Sequence, residues 1–515
     1  MNSPAACWAK LTQLADALPP APSSEQWLLN MLERNASTET GRCFGFAALR
    51  SAAAFQRAVP PCDYAALASR IERMADGEED VLFSGRAAAF ELTAGSTGLH
   101  GDAAAQPAKL VPYSRESLDD FRQAMLPWLA SVIRQYAPAG RAYWCVSPAM
   151  RRPCATRGGI PVGVADGAYL GAEAVGPIVS LSVVPAWVTA LEDPACWRLA
   201  TLYHLVRAED LSFLFLWSPT FFLTLLRHLR EERDSLHTLL REGGTLAGRR
   251  LSPNRDAARR LARYLEHEDT RVLWPGPLLI SAWADGWAAP FAEQLRALLP
   301  QAAFQPKGLL CTEGVVSIPG SDGRAHVAEG CGFLEFLTAD GRSRGGGDLV
   351  VGESYSVLLT TSGGLYRYQC GDRVQCTGYA GERPVIRLLG REGICCDMVG
   401  EKLVDAFVAA CLEGIRGFAL LQPQPDGRPA YRLLLDGREY GMREARLLAR
   451  RLDAALERNP QYAHARRLAQ LGPVEALPLR DPLEQYLTWA AAGGKARQGI
   501  VKIPALCAAR DFQPI

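Results

Sequence analysis

A short run of hydroxyl and glycine residues, TAGSTG at residues 93–98, follows a brief apolar stretch of the chain. Glycine lets the backbone approach an anion closely, and N–H and O–H groups can then donate hydrogen bonds to phosphate oxygens. Runs of this composition are also common in surface turns that bind nothing. The run therefore indicates a phosphate-binding loop only if it is accompanied by other motifs of the same chemistry.

Several such motifs follow in order along the chain. A lysine and a Pro-Tyr-Ser turn occur in KLVPYS at 109–114, and a Thr-Glu-Gly turn follows an apolar strand in KGLLCTEGVVSIP at 307–319. A Gly-Asp turn is predicted between two strands in GLYRYQCGDRVQCTGY at 364–379. The last two stretches are LLGREGICCDMVGEKL at 388–403 and GGKARQGIVKIP at 493–504. An ordered set of motifs is much more specific than any one of them alone.

In this order the motifs resemble the auxin-responsive promoter (Gretchen Hagen) family of acyl-acid amido synthetases, a branch of the adenylate-forming enzymes. The resemblance runs from about residue 90 to the end of the chain. It implies a ligase in which a carboxylate attacks the α-phosphate of ATP, giving an acyl-adenylate and pyrophosphate, and an amine then displaces AMP. Such an enzyme works by positioning and electrostatics, with ATP and magnesium as cofactors.

The resemblance also assigns residues to the phosphates and the magnesium ion. The residues that would hold the phosphates form one loop: Gly95, Ser96, Thr97 and Gly98. Thr312 lies where the family places an adenine or phosphate contact, and Glu313 where it places a magnesium-linked glutamate. In the alternative interpretation, Glu313 is a turn carboxylate without a ligand.

Three further residues are assigned to the nucleotide in the same way. Asp372 matches the family's ribose binder, because a carboxylate can accept hydrogen bonds from both hydroxyls. Lys402 lies in GEK, where the family places a nucleotide-binding or domain-coupling residue, and Lys502 matches a closing lysine that approaches the phosphate. Lys502 and Glu313 are the predicted catalytic residues. Asp372 could instead be a turn carboxylate, and both lysines could be solvated surface residues.

A third part of the resemblance is the turn SAWADGW at 281–287, which places Trp283, Asp285 and Gly286 near the substrate. Aromatic side chains here could line a pocket for the acid, although tryptophans lie more often in the core. The cysteines Cys311, Cys395 and Cys396 are expected to be small buried hydrophobic residues and not nucleophiles.

The elements that must position these residues include helices and strands in alternation. Apolar residues spaced by three and four predict helices within residues 1–80 and over 115–137. IVSLSVV at 178–184 is strand-like. Leu211–Trp217 predicts a buried strand, followed by Ser218 as the N-cap of a helix that begins with a proline.

The pattern of predicted elements changes further along the chain. From about residue 310, short strands are separated by glycine-rich turns, and mixed helices and strands return after residue 391. Interleaved elements of this kind favour an α/β or α+β layered fold. The resemblance implies an α/β protein with a large adenylate-forming N-terminal domain (1–389), whose β-sheets are flanked by helices, and a smaller, mobile α+β C-terminal domain (390–515).

Composition limits the choice of partners. The chain has 515 residues, 56 basic and 55 acidic, and a formal net charge of +1, so no bulk attraction to nucleic acid or to an anionic membrane is expected. The 14 cysteines are scattered and include no CxxC pair; free buried thiols in a reducing cytosol are expected, with a disulfide framework as the alternative. We read no signal peptide at the N-terminus. The expectation is a cytoplasmic monomer that binds a small carboxylic acid and an amine, with an amino acid as the expected amine.

Two other interpretations of function stay open. The first keeps the adenylation step but passes the acyl group to a thiol. The second is a non-catalytic relative that keeps the fold as a binding or scaffold protein. It is favoured by the twelve positions between Thr97 and Lys109, which lengthen the loop, and by Leu309, where relatives often have a tyrosine. Retention of Glu313, Asp372 and Lys502 opposes it.

Overall fold

The computed structural model contains two major sheets and a smaller C-terminal unit. It describes residues 3–92, 109–144, 154–164, 169–391, 395–396, 398–399, 401, 403–424, 429–467, 470–492, 501–507 and 512–514. The loop residues Gly95, Ser96, Thr97 and Gly98, together with Lys402, lie outside these ranges. Their predicted roles therefore stay predictions.

Within the described residues, the α-helices in chain order are α1 (Pro4–Asp16), α2 (Ser24–Arg34), α3 (Glu39–Cys43), α4 (Ala52–Ala58), α5 (Tyr64–Ala75), α6 (Arg115–Tyr136), α7 (Ala172–Leu181), α8 (Ala186–Thr189), α9 (Pro194–Arg207), α10 (Pro219–Glu231), α11 (Arg233–Glu242), α12 (Arg255–His267), α13 (Ala289–Leu298), α14 (Asp405–Cys411), α15 (Met442–Leu456), α16 (Pro460–Arg467) and α17 (Pro482–Ala492).

The strands in the same residues are β1 (Ala89–Leu92), β2 (Leu110–Tyr113), β3 (Arg141–Trp144), β4 (Cys154–Ala155), β5 (Pro161–Val162), β6 (Leu211–Phe215), β7 (Gly244–Leu246), β8 (Arg249–Leu251), β9 (Leu278–Ala282), β10 (Ala302–Pro306), β11 (Leu310–Cys311), β12 (Gly314–Val315), β13 (Ser317–Pro319), β14 (Ala325–Val327), β15 (Phe333–Leu337), β16 (Ser343–Arg344), β17 (Ser354–Thr360), β18 (Tyr368–Ala380), β19 (Arg383–Arg391), β20 (Cys395–Cys396), β21 (Leu403–Val404), β22 (Ala419–Gln424), β23 (Ala430–Asp436) and β24 (Glu475–Leu479).

The first major sheet is parallel, with the order β10-β9-β6-β3. All five residues of β6 are buried, as expected for a strand covered by helices on both faces. Ser218 caps α10, and Pro219 occupies its first turn, as the sequence predicts. The apolar stretch from Leu211 onward is thus a core strand followed by a helix. No described helix is long and apolar enough to cross a membrane.

The second major sheet has seven strands in the order β13-β14-β19-β18-β17-β15-β16, and its named strand pairs are antiparallel. Its core is shared with β1, β2 and α5, through residues such as Phe90, Tyr113 and Val374. The strands β1 and β2 pair antiparallel, with Leu92 opposite Leu110. The two ends of the predicted phosphate loop are therefore held side by side.

The C-terminal unit is α+β. Strands β22, β23 and β24 form a small sheet, and β23 packs with α14–α16 around a separate core. The predicted division at residues 389 and 390 falls inside β19, and it stays a prediction. The mixed α/β architecture itself is confirmed. Every cysteine whose side chain the structure describes is a free thiol.

Two local predictions are wrong. Residues 178–181 of the strand-like stretch belong to α7, and only Ser182 forms a β-bridge, with Ala142. A short apolar run fits a helix as well as a strand, and α7 buries Ala174 and Leu181. The Gly-Asp pair at 371–372 is not a turn between strands, because β18 is continuous from Tyr368 to Ala380.

A bulge explains how one strand accommodates this pair. The register with β17 shifts between Ser356 and Leu358, and Gly371 lies opposite this shift with φ +81°. Glycine within a strand commonly marks such an irregularity. Because β18 is paired on both sides, the glycine bends the strand without reversing it.

A buried ion pair ties helix α4 to this sheet. The Arg367 guanidinium donates to both Glu335 oxygens at 2.9 Å, and also to the carbonyls of Gln56 and Val59 at 2.8 Å. The two side chains are 7% and 1% exposed. Both charges are therefore withdrawn from water and depend on each other.

We predict that Glu335→Ala lowers the free energy of unfolding by about 3–5 kcal/mol, because it leaves a guanidinium buried without its carboxylate. The matched control is Asp76→Ala, which breaks the exposed pair with Arg157 and should cost less than about 1 kcal/mol. Urea unfolding followed by tryptophan fluorescence measures both. Equal losses in the two variants would contradict the assignment.

Candidate active site

The Thr-Glu-Gly motif forms a tight hairpin. Strands β11 and β12 pair with Cys311 opposite Gly314, so Thr312 and Glu313 are the two residues of the connection. The Tyr113 hydroxyl donates to the Thr312 carbonyl at 2.6 Å. Burial raises the pKa of Tyr113 well above its usual range, and Tyr169, Glu91 and Glu313 raise it further. The hydroxyl therefore keeps its proton and anchors the turn.

Asp372 approaches this hairpin from the second sheet. It lies in β18, immediately after the bulge glycine, where β18 pairs with both β17 and β19, and it is only 1% exposed. The bulge changes the direction of the strand just before the carboxylate. Glu313 is also buried, at 9% exposure. Two acidic side chains from different sheets are thus withdrawn from solvent.

The pKa values of the Cys311 and Cys370 thiols indicate which charged side chains lie near them. Burial raises the pKa of Cys311, Glu313 and Asp372 raise it further, and the Lys502 ammonium acts in the opposite direction. Burial also raises the pKa of Cys370, followed by the charges of Asp372 and other neighbours that include Glu313. Three predicted site residues are therefore near enough to one thiol to act on it electrostatically, although up to 189 positions separate them in the sequence. A raised pKa favours the thiol over the thiolate, which agrees with the expectation that Cys311 is not a nucleophile.

Lys502 reaches the site from the C-terminal unit. Its ammonium lies 5.8 Å from the centre of the Trp283 ring, and that ring lies 6.1 Å from the ring of Trp217. The backbone N–H of Trp283 donates to the Trp217 carbonyl. Both tryptophans follow the carboxyl ends of parallel strands, the edge where open α/β sheets bind ligands. They are half-buried, which fits a pocket wall better than a closed core.

Sequence reasoning missed a buried lysine at the same edge. Lys307 follows β10 and is 3% exposed, and its ammonium lies 3.3 Å from the ring centre of Phe215, 4.7 Å from Trp128 and 5.2 Å from Trp217. Contacts between a cation and aromatic rings are strongest when both are withdrawn from water. The available signal was a lysine directly after an apolar strand, in QPKGLL.

A second missed residue is Glu401, the neighbour of Lys402. It is fully buried, and its carboxylate accepts hydrogen bonds from the N–H groups of Met398 and Val399 and from the Tyr431 hydroxyl at 2.5 Å. The GEK motif drew attention to its lysine, but within the described residues the glutamate organises this loop.

The carboxylates fit magnesium only as partners of a bound nucleotide. The described residues hold no group of three or more His, Cys, Asp or Glu side chains that could form a complete metal cage. Magnesium bound with nucleotides usually takes one or two carboxylates and completes its shell with phosphates and waters. The buried Glu313, with Asp372 nearby, matches that smaller requirement.

The overall architecture belongs to a known class. A solved GH3.15 acyl acid amido synthetase in complex with 2,4-DB superposes with a TM-score of 0.81, covering 99% of this chain and 96% of that chain at 17% identity. A second GH3.15 acyl acid amido synthetase structure gives a TM-score of 0.79, with 95% and 93% covered at 18% identity. At these identities the likeness establishes the fold, which is that of the acyl acid amido synthetases.

Sequence comparison gives the family. The GH3 family N-terminal domain matches residues 16–304, and the GH3 family central domain matches residues 326–391. The chain belongs to the GH3 family, which confirms the resemblance noted from the motifs. A probable indole-3-acetic acid-amido synthetase GH3.2 of Oryza sativa subsp. japonica is 24% identical over 453 residues, 78% of this chain and 70% of the relative. The indole-3-acetic acid-amido synthetase GH3.4 of Arabidopsis thaliana is 22% identical over 427 residues, covering 76% and 70%.

We predict that Tyr113→Phe raises the Kd for Mg-ATP about five- to tenfold, because it removes the roughly 1 kcal/mol hydrogen bond that fixes the Thr312–Glu313 turn. Tyr379→Phe is a matched control, since Tyr379 donates to the Leu349 carbonyl at 2.6 Å elsewhere in the second sheet. Calorimetric titration measures both affinities. An unchanged Kd for Tyr113→Phe would show that the turn needs no such anchor.

Proposed function

We propose that the protein is an ATP-dependent acyl acid amido synthetase, which activates a carboxylic acid as an acyl-adenylate and transfers the acyl group to an amine, with an amino acid as the acceptor. The observation that carries the proposal is that the buried carboxylates of Glu313 and Asp372 and the Lys502 ammonium beside Trp283 all lie near enough to Cys311 to act on its thiol. Family membership and the names of the relatives support it.

Each residue has a separate part in this proposal. Asp372 accepts hydrogen bonds from the ribose hydroxyls and so fixes the nucleotide in the site. Glu313, held by the turn, holds magnesium. Magnesium, when bound, supplies neutralisation of the phosphate charge. Lys502 places its ammonium against the phosphate oxygens as negative charge develops there.

The proposal also covers where the acid binds and how the C-terminal unit moves. Trp217 and Trp283 offer the acid an apolar wall beside Lys502. The unit after residue 390 carries Lys502, so we propose that it turns away after adenylation and admits the amine.

The remaining assignments are part of the same proposal. The phosphates are held by one loop, which consists of Gly95, Ser96, Thr97 and Gly98, and Lys402 couples the nucleotide to the moving unit. We also propose that the protein acts in the cytoplasm, which free thiols support, and that it is a monomer.

Nucleotide binding can be tested before the acid is known. Mg-ATP should raise the thermal midpoint of the native protein, because a ligand that binds only the folded state adds about 2.7 kcal/mol at a hundredfold excess over its Kd. Asp372→Asn should lose most of this shift, while the exposed turn variant Asp340→Asn should keep it. No shift in the native protein would favour the scaffold interpretation, and a full shift in Asp372→Asn would remove its ribose role.

We predict that Lys502→Ala slows acid-dependent pyrophosphate release about a hundredfold, as expected for loss of one electrostatic group in the transition state, with little change in the KM for ATP. Lys10→Ala, an exposed lysine on α1, should have the native rate. A panel of acids that begins with indole-3-acetate supplies the substrate. Product analysis with amino acids and with thiols then separates amide from thioester formation.

A further inference from the structure

The segment that carries Lys502 is attached on two sides. Leu421 N–H in β22 donates to the Ala505 carbonyl at 2.8 Å, and Cys507 N–H donates back to the Leu421 carbonyl at 2.8 Å. Leu506 N–H donates to Oδ1 of Asp405 at 2.9 Å. The segment is therefore fixed to a strand by its backbone and to the start of α14 by one carboxylate.

The same carboxylate faces the second sheet. A Cβ atom placed on Gly390 would lie 3.4 Å from Oδ2 of Asp405 and 3.3 Å from Cα of Ala406, so the glycine permits a close approach of α14 to β19. Gly390 pairs with Arg373, the residue that follows Asp372. Asp405 thus lies between the backbone ladder that holds Asp372 and the segment that holds Lys502.

We propose that Asp405 is a positioning residue, which sets the place of Lys502 relative to Asp372 for adenylation. The inference rests on the proposed function of Lys502. Asp405 is 5% exposed, and a carboxylate is buried at a cost unless donors such as the Leu506 N–H satisfy it. A neutral apolar residue would fill the space, but it could not hold the segment.

The short connection makes this attachment effective. Only three residues separate Lys502 from Leu506, and one of them is Pro504, whose ring fixes φ. Val501 and Ile503 on either side of the lysine are buried, at 2% exposure each. Movement at the Asp405 bond therefore reaches the ammonium directly, and displacements of about 1 Å in catalytic groups can cost a hundredfold in rate.

The test compares Asp405→Ala with Asp405→Asn in the full chain. Asp405→Ala should lower the kcat of acid-dependent pyrophosphate release about ten- to a hundredfold and leave the KM for ATP within about twofold of native. Asp405→Asn keeps an oxygen acceptor for Leu506 and should restore most of the rate. The N-cap variant Asp193→Ala on α9, which removes a 2.7 Å bond from Cys196 N–H, should keep the native kcat.

A double-mutant cycle separates positioning from general stability. If Asp405 acts through Lys502, Asp405→Ala should have no further effect on kcat in the Lys502→Ala background. Additive losses in the cycle, or a native kcat in Asp405→Ala, would overturn the proposal. If Asp405→Ala does not fold, Asp405→Glu replaces it, because the added methylene displaces the acceptor and should also lower kcat.

The activity of the native protein tests the proposed function separately from the role of Asp405. A native protein without acid-dependent pyrophosphate release across the acid panel would count against the function and not against Asp405. A native protein with release and an unaffected Asp405→Ala would count against Asp405 alone.

Discussion

The candidate site requires two acidic side chains, Glu313 and Asp372, to be kept out of water. Both lie close enough to the thiols of Cys311 and Cys370 to raise their pKa values. The loss of hydration on burial opposes this arrangement. The sheets make it possible, because a hairpin turn anchored by Tyr113 supplies one carboxylate and a doubly paired strand supplies the other. A site built in this way has a use for cations, which the Lys502 ammonium and a magnesium-bound nucleotide can provide.

The two major sheets contribute different features around Glu313 and Asp372. The parallel sheet ends in Trp217, Trp283 and Lys307, so its carboxyl edge offers aromatic surface and one buried positive charge. The antiparallel sheet carries the Arg367–Glu335 pair, which fixes helix α4 against it. The aromatic surface and the anchoring ion pair thus belong to different sheets.

Motif types could be predicted from the sequence, but their local geometry could not. The capped helix after Ser218 and the Thr312–Glu313 turn depend on residues next to one another, so sequence patterns predicted them correctly. For Asp372 the sequence predicts a turn, because glycine before an aspartate is typical of turns. Whether such a glycine reverses or bends the chain depends on strands paired on both sides, which are distant in sequence.

Buried polar residues cannot be recognised from the sequence for the same reason. Lys307 and Glu401 look like ordinary charged residues until the fold encloses them with aromatic rings or N–H donors. Asp405 is the clearest case, since its two oxygens face partners that lie 101 positions ahead and 15 positions behind it in the chain. A local pattern cannot encode contacts over both separations. The family resemblance predicts residues that would contact ligands, whereas the residues that would hold them in place are found only once the sheets and the closing segment are assembled.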